Sequence, residues 1–228
     1  MRPFPFKSSP AIPAIFALFL GTLTLLGCGV SAPERLEVTS LGDTPRTLAP
    51  ELGLGTYSLE SANTSFILSD ISHEQLIDSS ELFGHVLHVE LLWVPTAGKT
   101  AVEPAATNTS IRLLVFSGRE LGLYGGGGFA WPSGDPGSPA YGIDIVGSNI
   151  SLLAATAGFI DLLSPAQLTG QVRTRLDGAA TKQMTTAASQ FLTNALKRAQ
   201  WVGPRSRELQ QGAALNGEYS TLTDFVVR

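Results

Sequence analysis

Between Phe83 and Val94 the side chains alternate: Phe83, His85, Leu87, Val89, Leu91 and Trp93 fall on one face of an extended segment, and Val86, His88, Glu90 and Leu92 on the other. A period of two fits a β-strand and is incompatible with a helix, whose apolar face recurs every three or four residues. Pro95 and Gly98 close the run. The rest of the chain has to supply partners for this strand, and several segments have the composition to do so. Gly55 to Ser69 carries Tyr57, Leu59, Phe66 and Leu68 between Ser and Thr and predicts one or two strands. Ile111 to Phe116 and Leu121 to Tyr124 flank Ser117-Gly118-Arg119-Glu120, which predicts a hairpin. Tyr141 to Val146 and Ile150 to Ala155 are further strand candidates. From Thr169 to Leu176, Val172, Thr174 and Leu176 alternate with Gln171, Arg173 and Arg175, so the arginine side should be wet.

Two segments break this rhythm. Ser72-His73-Glu74-Gln75 has the layout of a capping box and predicts a short helix near 72–81. Ala188, Phe191, Leu192, Ala195, Leu196 and Ala199 recur at helical spacing, predicting an amphipathic helix near 185–200 that ends before Pro204. Tyr219 to Val227 is a candidate last strand. The expected fold is mainly β, with α+β as the alternative: an antiparallel sheet or sandwich with these two helices.

The N-terminal segment is of a different kind. Arg2 and Lys7 precede an apolar run from Ala11 to Leu26, sixteen residues interrupted by Pro13, Gly21, Thr22 and Thr24. That is short of the about 20 residues a membrane span needs, and it has the three-part layout of a secretory signal. The run closes on Leu25-Leu26-Gly27-Cys28, which resembles the lipobox of bacterial lipoproteins, with Leu26 standing where a smaller residue is commoner. The resemblance implies cleavage between Gly27 and Cys28, diacylglyceryl transfer to the Cys28 thiol and acylation of the new amine. Gly29 in place of the family's Asp retention signal favours the outer membrane over the inner. The implied partner is the membrane, held through lipid on Cys28, because two or three acyl chains anchor stably where one does not.

Cys28 is the sole cysteine of the 228 residues, so no intrachain disulfide forms. Pro33, Pro45 and Pro50 among Ser, Thr and charged residues predict a flexible tether over 28–52, reaching roughly 25 to 30 Å, ahead of a single β-rich domain at 53–228. A net charge of −4 without a long Lys/Arg run argues against nucleic acid as a partner.

Residue patterns that would mark catalysis are incomplete. Ala97-Gly98-Lys99-Thr100 ends like a phosphate-binding loop, but Trp93 stands where its first glycine belongs. His73-Glu74 begins like a zinc-protease helix, but Ile77 replaces the second histidine; His85 and His88 lie on opposite faces of their strand. No Gly-x-Ser-x-Gly elbow occurs. These patterns predict no catalytic residues, no metal and no cofactor. One region invites a ligand: Tyr124, Gly126, Gly127, Trp131 and Tyr141 lie in a glycine- and aromatic-rich stretch, where backbone can be approached and rings can stack. The same glycines equally suit a bulge or wide hairpin with the rings in the core. The sequence therefore leads to an envelope lipoprotein with a structural or binding role, its expected partner besides the membrane being an envelope protein or a carbohydrate. Two alternatives stay open: a carbohydrate- or peptide-binding module using Tyr124–Tyr141, and a hydrolase with dispersed residues.

Overall fold

The alternating run forms a strand whose two faces are both covered, one inside a closed sheet and one beneath helices. The computed structural model describes residues 35–60, 63–95 and 107–201. Among these, the strands are β1 (Arg35–Ser40), β2 (Thr47–Leu48), β3 (Leu54–Leu59), β4 (Thr64–Ser69), β5 (Leu82–Leu91), β6 (Thr109–Gly118), β7 (Glu120–Ser133), β8 (Ala140–Ala155) and β9 (Ala166–Leu176). Helix α1 (His73–Asp78) lies between β4 and β5, and α2 (Gly178–Leu196) follows β9.

Strands β3 to β8 pair antiparallel in chain order, and β9 returns to close the ring. One edge of β9 pairs with β8 from Ala140 to Ile150. Its other edge is shared: Ala166 to Gln171 pair antiparallel with β1, and Arg175 and Leu176 pair parallel with Thr56 and Tyr57 of β3. Closure removes the unpaired edges that an open sheet leaves available to other chains. The fold is thus mainly β and essentially antiparallel, with the short and the C-terminal-side helix that the sequence predicts.

Inward-facing residues fill the ring. Tyr57, Phe66 and Tyr141 meet with ring centroids 5.5 to 5.9 Å apart. Leu87, Val89, Leu91, Ile111, Leu113 and Ile143 pack around them. The Tyr57 hydroxyl donates to the Ser138 carbonyl. A second core lies outside the ring, where Ile67, Val86, Leu114, Phe116 and Leu123 meet Leu76 of α1 and Met184, Ala188 and Leu192 of α2. This outer cover explains why β5 has apolar residues on its second face as well.

Helix α1 starts as predicted: the Ser72 hydroxyl accepts from the Gln75 N–H, and the Gln75 side chain accepts from the Ser72 N–H. Helix α2 begins at Gly178, earlier than its apolar period suggests. Asp177 caps it by accepting from the Ala180 N–H at 2.9 Å. Its first buried positions include Thr181 and Thr185, whose hydroxyls donate back to the carbonyls of Asp177 and Thr181, so polar residues occupy core-facing sites without loss of hydrogen bonds.

Three expectations change. Part of the segment expected as tether is β1 and β2, with Leu36 and Val38 turned into the core. Tyr141–Val146 and Ile150–Ala155 are one strand, β8. The glycines 125–128 are not loop but the middle of β7, paired with β6 on one side and β8 on the other. The last strand expected at Tyr219–Val227 lies outside the described residues.

Strand β1 can approach β9 only because position 170 has no side chain. Gly170 has φ of +133°, and a Cβ there would stand 1.8 Å from the Arg35 carbonyl oxygen. Gly170→Ala should therefore destabilise the protein by about 2 to 5 kcal/mol in urea unfolding, from backbone strain plus displacement of β1. Gly42→Ala, with nothing within 4 Å of the new carbon, should stay within about 0.5 kcal/mol.

Candidate functional site

The alternation of β7 and β8 decides where the five candidate residues point. Tyr124 sits opposite Leu113, and Tyr141 opposite Thr174, so both face inward, each 1% exposed. Gly126 sits where β7 and β8 crowd: a Cβ would lie 1.9 Å from the Asn149 carbonyl oxygen. Gly127 is similarly hemmed in by the Thr109 carbonyl oxygen at 2.6 Å. Trp131 alone among the five reaches the outer surface, where it is partly exposed. The candidates therefore form no common face.

Each inward tyrosine has a structural setting. Burial, and then the neighbouring Tyr57, pushes the Tyr141 hydroxyl above its ordinary pKa. The Tyr124 hydroxyl donates to Asp161 Oδ1 at 2.8 Å, and the same oxygen accepts from the N–H groups of Leu163 and Ser164, each at 3.0 Å. This carboxylate ties the segment between β8 and β9 to the wall of the ring. Burial and the Asp161 hydrogen bond push the Tyr124 pKa upward. For Asp161, burial acts to raise the pKa, but the two backbone donors and Tyr124 outweigh it and hold the carboxyl below its usual range.

Trp131 belongs to a groove on the outer face of β7, β8 and β9. Its cross-strand partner is Asp144, whose partner is Gln171; the next row is Ser133, Gly142 and Arg173. Trp131, Ser133, Asp144, Gln171 and Arg173, with Pro132, Ile143 and Val172 beneath, line a shallow depression of about 260 Å³. The Phe129 ring packs edge-on to Trp131 at 5.1 Å and to Trp93 at 6.1 Å, supporting the indole from behind. Beside it, β7 shifts register between Phe129 and Ala130. The buried Asn108 amide supplies the missing ladder partner there, donating to the Ala130 carbonyl and accepting from the Ala130 N–H, both at 2.8 Å. Among the described residues, no hydrogen bond or ion pair engages the side chains of Asp144, Gln171 or Arg173. The groove thus offers a flat ring, a carboxylate, a carboxamide and a guanidinium on a rigid support.

A second polar group lies on the outer face of β4 and β5. Ser65 Oγ and His88 Nε2 are 2.8 Å apart, and Asn63 donates to the Glu90 carboxylate at 3.1 Å. A serine, a histidine and an acid are the ingredients of nucleophilic catalysis. Here, however, the Trp201 ring lies 5.1 Å from His88, with the Arg112 guanidinium 5.8 Å from Trp201 on its ring face, and Ser65, His88 and Trp201 are all buried. That packing withholds the Ser65 hydroxyl from a substrate. His85 is engaged with Asp70 at 2.8 Å, and His73 lies beside α2 with Ile77 and Lys182. Among the described residues, no three His, Cys, Asp or Glu side chains stand close enough to hold a metal. Cys28 and Gly27, the sites of the expected modification and cleavage, lie outside the described residues.

Sequence reasoning singled out Trp131 and anticipated the wet side of β9. It did not connect Asp144 to either, because the pairing of β7 with β8 and of β8 with β9 is a matter of register. It also passed over Asn108.

Asn108→Ala should cost about 2 to 4 kcal/mol in chemical denaturation, since it leaves two buried backbone groups at Ala130 without partners. Asp161→Asn should be less stable than the natural protein by a pH-dependent amount. The native carboxylate's contribution is fully present above the unfolded pKa of about 3.8 and is lost as pH falls through the lower folded value, so the stability gap narrows on acidification. Thermal unfolding across that range reads it directly. Compared with family models, curated proteins and solved structures, the chain matches none.

Proposed function

We propose that this chain is a lipid-anchored protein of the bacterial cell envelope, held through Cys28 in the outer membrane, with a binding rather than catalytic role. The anchoring rests on the lipobox-like Leu25–Cys28 at the end of an apolar run and on Cys28 being the sole cysteine. Among the described residues, no helix is long and apolar enough to cross a membrane.

Between a purely structural role and a binding role, the groove at Trp131 favours binding. Its polar side chains have no partners within the described protein, and a sheet-mounted ring keeps its position without a ligand, which lowers the cost of ordering on association. The Ser65–His88 pair gives the hydrolase reading no comparable support, because it lies beneath Trp201.

Intact-mass measurement of protein extracted from membranes tests the anchor. The natural chain should begin at Cys28 and carry the added mass of a diacylglyceryl group and an amide-linked acyl chain, whereas Cys28→Ser should carry neither and leave the membrane fraction. An unmodified Cys28 in the natural protein would overturn the proposal.

A further inference from the structure

The chemistry of the Trp131 groove narrows what it can hold. Its three strands lie within the closed ring, so their backbone N–H and C=O groups are spent on one another over Trp131, Asp144 and Gln171. A peptide that binds by adding a strand needs an open edge, and among the described residues β8, at the centre of this face, is paired on both sides. Recognition here has to come from side chains. Asp144, Gln171 and Arg173 are planar groups that bind in pairs: a carboxylate that accepts, a carboxamide that both donates and accepts, and a guanidinium that donates. Trp131 adds an apolar, electron-rich surface beside them. Strands spaced by about 4.8 Å carry the row across roughly 10 Å, a footprint on the scale of one or two sugar rings.

A saccharide matches this combination. Adjacent ring hydroxyls present donor and acceptor pairs, and the C–H face of a pyranose is apolar and suits an indole. An apolar ligand would leave three polar side chains desolvated without partners, at a cost for each. A nucleic acid would bring a row of phosphates to a groove holding one arginine and one aspartate. Arg173 adds a preference. Among the described residues its guanidinium makes no ion pair: Arg175, not Arg173, approaches Asp177, at 3.9 Å. A guanidinium free to make a two-point contact recognises a carboxylate best. Gly142, between Ser133 and Arg173, lets β8 and β9 approach closely there: a Cβ would stand 2.3 Å from the Val172 carbonyl oxygen and 3.2 Å from Arg173 Cγ.

We infer that the β7–β8–β9 face binds an acidic saccharide, with a sugar ring against Trp131, hydroxyls to Asp144 and Gln171, and a sugar carboxylate on Arg173. The inference rests on the binding reading above and gives it a ligand class.

Titration of the isotope-labelled protein, followed by NMR, tests it with three probes: tetragalacturonic acid, neutral cellotetraose and tetra-alanine. The acidic tetrasaccharide should shift the Trp131 indole N–H and the amides of residues 131–133, 142–144 and 171–173. Trp131→Ala should weaken it by about tenfold or more. Arg173→Gln, an exposed substitution that leaves the core untouched, should lower its affinity to that of the neutral sugar. Absence of shifts with both saccharides at millimolar concentration overturns the inference, as does equal affinity of the natural protein for the two. Shifts at these residues with tetra-alanine alone overturn the saccharide assignment and leave the binding reading standing.

Discussion

Closure of the sheet depends on how β9 divides its hydrogen bonds. One edge is committed to β8, and the other is split between β1 over its first half and β3 at its last two residues. The interior core follows from that arrangement, because Tyr57 on β3 meets Tyr141 on β8 only when β9 lies between them. The position of α2 follows as well. Asp177 caps the helix and its N–H bonds the Tyr57 carbonyl, so the chain leaves the ring where β9 joins β3. Thr181 then bonds Thr56 at 2.9 Å, holding the first turn of the helix to β3.

Local patterns in the sequence were informative wherever one residue's surroundings come from its near neighbours. The alternation in β5, the turn at Gly118, and the reciprocal Ser72–Gln75 cap are all of this kind. Long-range arrangements left fainter traces. Strand β1 has only Leu36 and Val38 as inward apolar residues, amid prolines that suggest a linker, and its partner lies more than a hundred residues away. The early turns of α2 hide their buried face behind threonines that satisfy their own hydroxyls. The glycines of β7 misled for a physical reason: glycine usually marks a loop because it permits unusual dihedrals, whereas here it serves close approach of two strands.

The same distinction governs the groove. A candidate ring at Trp131 and a wet arginine face can be read from β7 and β9 separately, but their convergence requires the register of β8 between them. Asn108 shows the point in miniature. Nothing in its local sequence marks it, yet its amide substitutes for a strand partner at the bulge and fixes the backbone from which Trp131 projects. The aromatic side chains of Trp93 and Phe129 extend that support to the outer surface.

Strand β1 also gives the molecule a mechanical character. It enters at Arg35 and is held to β9 by pairing at six successive positions, antiparallel and along its whole length. The hydrogen bonds between β1 and β9 run across the strand axis, so a force applied along that axis would load them together, whereas one applied across it would break them one at a time. The ring's own circuit passes through β3 and β8 to β9, so peeling β1 away would strip a strand from β9 without opening that circuit.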